Sequence, residues 1–144
     1  MTTQRKAIIA AVAGIVYLSL WFLPVNGPDY PGWKAFRVAF APIWPYAGFS
    51  VEGFLGGLVS VASALTNAWF LVSMVVLAVR RDAHNQILFW ILLAATIVNA
   101  SWLLGTGTAW GIGYFAWLSS FVLLTIAVRG SANATLDAVP SAAA

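Results

Sequence analysis

Two asparagines stand deep inside apolar runs. Asn67 lies in Leu65-Thr66-Asn67-Ala68-Trp69, and Asn99 lies in Val98-Asn99-Ala100-Ser101-Trp102. A carboxamide both donates and accepts hydrogen bonds, so in an apolar medium it must find a polar partner on another segment or face a ligand. With Thr66 and Ser101 beside them, these amides form the candidate set for an interhelical polar contact or a ligand-facing site, and Thr96 could complete the network. The other chemically capable side chains are few. Asp29 and Glu52 could serve acid–base work, but they lie far apart in the chain, and Lys34 and Arg37 between them offer simple ion pairing. His84 is the single histidine and no cysteine is present, so neither a two-histidine haem nor a thiolate metal site can be built. Asp29 and Glu52 fall on the opposite side of the expected membrane from His84. No P-loop, HExxH or GxSxG pattern occurs. The expectation is therefore a non-enzymatic chain with no catalytic, metal-binding or cofactor-binding residues.

The elements that must position the amides follow from composition. Of the 144 residues, 62% are hydrophobic and only 8% are charged, whereas soluble domains carry about 25% charged residues. Too little polar surface remains to face water, so the expected partner is the lipid bilayer. Four uncharged runs, at about 7–23, 55–79, 87–104 and 110–128, approach the roughly 20 residues that a helix needs to cross about 30 Å of hydrocarbon. The expected fold is an all-α integral membrane protein with four transmembrane helices packed as a bundle over 1–129. A flexible cytoplasmic tail over 130–144 should follow it. A cleaved signal peptide is the alternative for the first run, though no small-x-small site precedes Pro24. The sequons at Asn99 and Asn133 fall in a span and in the tail, so they read as chance matches.

The hairpin geometry links the two amides. Asn67 lies about twelve residues before Val79 and Asn99 about twelve after Ile87, which places both about 18 Å from the same membrane face at 1.5 Å per residue. Mutual bonding between them is the economical expectation. Small residues recur every four positions at Gly56, Ser60, Ala64 and Ala68, at Ala10 and Gly14, and at Ala109 and Gly113. Such seams let helix backbones approach closely in lipid.

The loop at 24–54 is long and aromatic. Trp33, Phe36, Phe40 and Trp44 recur at helical spacing, with Arg37 and Lys34 beside them. A short interfacial helix over 32–41 is expected, rings toward lipid and cations toward headgroups. The outer-loop interface set is therefore Trp33, Phe36, Arg37, Phe40 and Trp44. Trp21, Trp102 and Trp110 near outer span ends read as interfacial anchors, whereas Trp69 and Trp117 read as packing between helices. No basic patch suggests nucleic acid. The leading expectation is an accessory or assembly subunit of a bacterial inner membrane, with another membrane subunit or a second copy as partner. A small oligomeric channel or transporter for a neutral solute, lined by Asn67 and Asn99, is the alternative.

Basic residues set the orientation. Arg5, Lys6, Arg80, Arg81 and Arg129 all fall on one side if each run crosses once, and such an excess marks the cytoplasmic face. Because the chain lacks cysteine, single cysteines can be introduced without background. Thr2→Cys and Ser141→Cys should both react with a membrane-impermeant thiol reagent only from the cytoplasmic side, and Asn26→Cys only from the outside. Labelling of the two ends from opposite sides would overturn the topology.

Overall fold

The computed structural model describes residues 2–40, 54–79, 86–105 and 110–129. Five helices follow in chain order: α1 (Thr3–Leu20), α2 (Gly32–Ala39), α3 (Phe54–Val79), α4 (Gln86–Gly105) and α5 (Ile112–Arg129). Among the described residues no strand forms, only two isolated bridges, Pro24 with Pro31 and Asn26 with Trp110. Among the described residues three stretches are long and apolar enough to cross a membrane: Gly56–Val79, Gln86–Leu104 and Ile112–Arg129. The chain is thus a helical membrane protein with three candidate spans. The expected positions Trp44, Glu52, Arg80, Arg81, His84 and Ala109 and the tail at 130–144 lie outside the described residues.

α1 is the helix that departs from expectation. Thr2 caps it, its hydroxyl accepting from the Arg5 backbone N–H at 3.4 Å. It ends at Leu20, three residues before the end of the apolar run. The cause is Pro24, which has no N–H to bond the Leu20 carbonyl and whose ring would clash with it in a continued helix. Phe22 N and Leu23 N bond instead to the Ser19 and Leu20 carbonyls at 3.1 and 3.2 Å, closing tighter turns. Its first residues, Thr3-Gln4-Arg5-Lys6, are polar, so about 14 apolar helical residues remain, roughly 21 Å of length.

The four long helices pack side by side. α5 touches α1 most extensively, then α4, and also α3, while α3 packs on α4 and α1. Accordingly 44% of the α5 window is buried, against 22% for α4. The core runs through Ala13 and Tyr17 of α1, Phe70 of α3, Leu92 of α4 and Phe121 and Leu124 of α5. Rings order its centre: Tyr17 stacks on Phe70 at 4.2 Å, and Phe70 meets Phe121 at 5.1 Å. Of the expected small-residue seams, Ala10 is buried and Gly14 faces Met74. On α3 only Ala64 is fully covered, because Gly56 and Ala68 turn outward. That stripe is not a continuous helix contact.

The segment after α1 folds back and is clamped by two glycines. Gly111 N–H bonds to the Val25 carbonyl at 2.7 Å and Gly113 N–H to the Pro24 carbonyl at 2.8 Å, fixing this segment to the start of α5. A Cβ on Gly111 would collide with the Pro24 carbonyl, and one on Gly32 with the Leu20 carbonyl. The close approach, not a special backbone angle, demands glycine there. Gly111→Ala or Gly32→Ala should lower unfolding stability by about 1–3 kcal/mol, the usual cost of overpacking a tight contact. Gly56→Ala, which meets nothing within 4 Å, should not lower it and should add up to about 1 kcal/mol. Denaturant titration in mixed micelles measures the three variants side by side.

Candidate functional site

The buried polar residues form two nodes. At the first, the Asn67 Oδ1 accepts from the Tyr17 hydroxyl and from the Trp117 indole N–H, each at 3.0 Å. An indole nitrogen only donates, so the amide atom facing it must be oxygen, and chemistry fixes the side-chain orientation. The amide nitrogen donates to the Ala64 carbonyl at 2.9 Å, one turn back on the same helix. Asn67 thereby ties α1, α3 and α5 at one point.

The second node is a closed ring. Ser63 Oγ donates to Asn99 Oδ1 at 2.8 Å, and Asn99 Nδ2 donates to Thr66 Oγ1 at 3.1 Å. Thr66 has one proton, and the Ser63 carbonyl at 2.6 Å takes it in preference to Asn99 Oδ1 at 3.4 Å. The Tyr114 hydroxyl donates to the Asn99 carbonyl at 2.7 Å. This node joins α3, α4 and α5, and Asn99 is 0% exposed within it.

The two asparagines therefore bond to different partners and not to each other. Each has a nearer one: hydroxyls on the facing turn of α3 for Asn99, and aromatic donors from α1 and α5 for Asn67. Ser101 lies apart from both nodes, exposed, with its hydroxyl on the Val98 carbonyl at 2.7 Å. Two residues along a helix turn a side chain by about 200°, so Ser101 cannot share the face of Asn99. Thr96 donates to the Leu92 carbonyl at 2.8 Å and approaches Thr125 at 3.5 Å. Tyr17, Ser63 and Tyr114 were not singled out from the sequence. Ser63 carried a signal, since it falls one turn before Thr66 and Asn67 on the same helix face. The tyrosines carried a weaker one, a hydroxyl within an apolar run that must find a partner.

Beside the first node lies a half-open cavity of about 270 Å³. Its wall includes Trp21 from the end of α1, Phe36 of α2, Ser60 and Asn67 of α3, and Trp110 and Trp117 at α5. Among the described residues that line it, none is acidic or basic. Phe36 meets Trp21 edge-on at 5.3 Å and Phe40 at 5.0 Å, so the ring that α2 turns toward the hollow is that of Phe36. Trp33 is 50% exposed, Arg37 is exposed, and the Lys34 ammonium lies 5.3 Å from the Tyr30 ring. The expected arc of rings is thus divided, Phe36 turned inward and Trp33 outward. The observed helix is Gly32–Ala39, two residues shorter than expected. Asp29 is exposed, and among the described residues no three His, Asp or Glu side chains converge.

Comparison with known protein families, curated proteins and solved structures gave no match to this chain.

The first node generates a prediction. Asn67→Leu strands the Tyr17 hydroxyl and the Trp117 N–H, and each unpaired buried group costs about 1–3 kcal/mol, with membrane interiors at the low end. The variant should lose about 1–3 kcal/mol of unfolding stability, whereas Ser101→Ala should stay within about 0.5 kcal/mol. Unfolding by detergent exchange compares them. Equal losses would deny the node its structural role.

Proposed function

We propose that this chain is a four-span bundle in a bacterial inner membrane, with both termini cytoplasmic. On this reading it is a non-enzymatic accessory or assembly subunit. The carrying observation is that, among the described residues, no buried side-chain nitrogen or oxygen lacks a hydrogen-bond partner. The interior polar groups bond chiefly to one another, holding helices in register, and no Asp, Glu, Lys, Arg or His stands between the ends of the four apolar runs, where proton and ion pathways place one. Four spans are supported by the way α1 lies along α5, with Ala10, Ala13, Tyr17 and Leu20 buried at helical spacing down its length. Arg5 and Lys6 can snorkel to the headgroups and extend its reach. Surfaces for a partner are the outward side of α2, with Trp33 and Arg37 exposed, and the apolar outer faces of α3 and α4.

The alternative, a channel or transporter for a neutral solute, draws on the cavity that Asn67 lines. Asn99, the second expected lining residue, is absent from that wall and fully enclosed, which weakens a continuous path through one chain. Native mass spectrometry of the protein extracted with its lipids tests the proposal. The expected species is a stoichiometric assembly with a second membrane polypeptide or with further copies. A lone monomer that carries a neutral solute across liposomes, and stops doing so in Asn67→Leu, would replace the subunit reading with the transporter.

A further inference from the structure

We propose that the cavity between α2 and the long helices binds an uncharged, ring-bearing carbonyl compound of about two fused rings. The inference is independent of the subunit reading. Three observations carry it. The first is shape and chemistry: indole and phenyl faces from Trp21, Phe36, Trp110 and Trp117 surround the space, a lining suited to flat rings that stack or meet edge-on. An apolar cavity of about 150 Å³ already accepts benzene, so about 270 Å³ has room for a second ring with a short substituent.

The second observation is charge. With no acidic or basic side chain among the described lining residues, an ionised ligand would surrender its hydration without compensation from them. The occupant must be neutral. The third is the hydrogen-bond account of Asn67. Its oxygen has accepted two donors and is saturated, while its nitrogen has given one of two N–H groups, to Ala64. Asn67 is 8% exposed and lines the cavity, so the remaining N–H has only that space in which to find an acceptor. Ser60, two turns earlier on the same face of α3, lines the same wall, and among the described residues its hydroxyl has no hydrogen-bond partner. A donor beside a donor-or-acceptor, framed by rings, selects a carbonyl oxygen on an aromatic body. A hydrocarbon would leave the amide N–H unanswered, and a pure donor such as an ammonium would meet an oxygen already filled.

The test uses the full chain in lipid nanodiscs, with empty discs as the partition control and 2-acetylnaphthalene as the probe. 2-Ethylnaphthalene supplies the same rings without the carbonyl, and 2-naphthoate the same rings with a charge. The ketone should quench tryptophan emission saturably at one molecule per chain, at least ten-fold more tightly than either comparator. Its carbonyl stretch should shift to lower frequency on binding. Ala35→Phe, which adds a ring into the cavity from α2 and replaces neither Asn67 nor a residue bonded to it, should abolish the saturable component while leaving the melting temperature in place. Partition without saturation, equal binding of 2-ethylnaphthalene or 2-naphthoate, an unshifted carbonyl band, or undiminished binding to a folded Ala35→Phe would each overturn the proposal.

Discussion

One oxygen atom, the Oδ1 of Asn67, takes a hydrogen bond from each of two neighbouring helices, and the packing of the protein is organised around it. In lipid, helices gain little by hiding apolar surface from one another, because the acyl chains are as apolar as the side chains. What distinguishes the right neighbour from the wrong one is polar pairing and close contact. Tyr17 and Trp117 reach Asn67 from opposite partners, and the tyrosine is held in place by its stack on Phe70. The rings aim the donors as well as filling the core. The ring of Ser63, Thr66 and Asn99 repeats the device between α3 and α4, and Tyr114 brings α5 into it.

A second constraint acts at the other end of the chemistry, through backbone alone. The segment following α1 is fastened to the start of α5 by the N–H groups of Gly111 and Gly113, each on a carbonyl of the folded-back strip. Glycine permits the approach and the carbonyls reward it. With Gly32 seated against the Leu20 carbonyl, α2 is tied at its first residue. The aromatic cavity thus has a wall from the clamped segment and another from helices joined through Asn67, so both polar devices bear on the same hollow.

Much of this was legible in the residues, and the exceptions have physical causes. Three of the four apolar runs are helices within about two residues of their expected bounds, because lipid permits no other way to satisfy an apolar backbone. α1 ended early because local proline chemistry overrode the hydropathy of Trp21, Phe22 and Leu23. The buried amides were legible as needing partners, but their partners were not: helix rotation decides which face meets which, and no spacing within a single run encodes it. Ser101 was misleading for a simpler reason, since adjacency in sequence at i+2 means opposition on a helix. The cavity left its signature only as an excess of tryptophan and phenylalanine, which a lipid-facing belt would share.

The curtailed α1 has a consequence for the surrounding membrane. As a span, its apolar stretch is several ångströms shorter than a typical hydrocarbon layer, whereas α3, at 26 residues, exceeds one. Lipids beside α1 would have to compress while those beside α3 accommodate a tilt, a mismatch costing fractions of a kcal/mol per ångström. Such an asymmetric annulus favours thin bilayers, and it gives α1 an elastic reason to adjoin another protein instead of lipid.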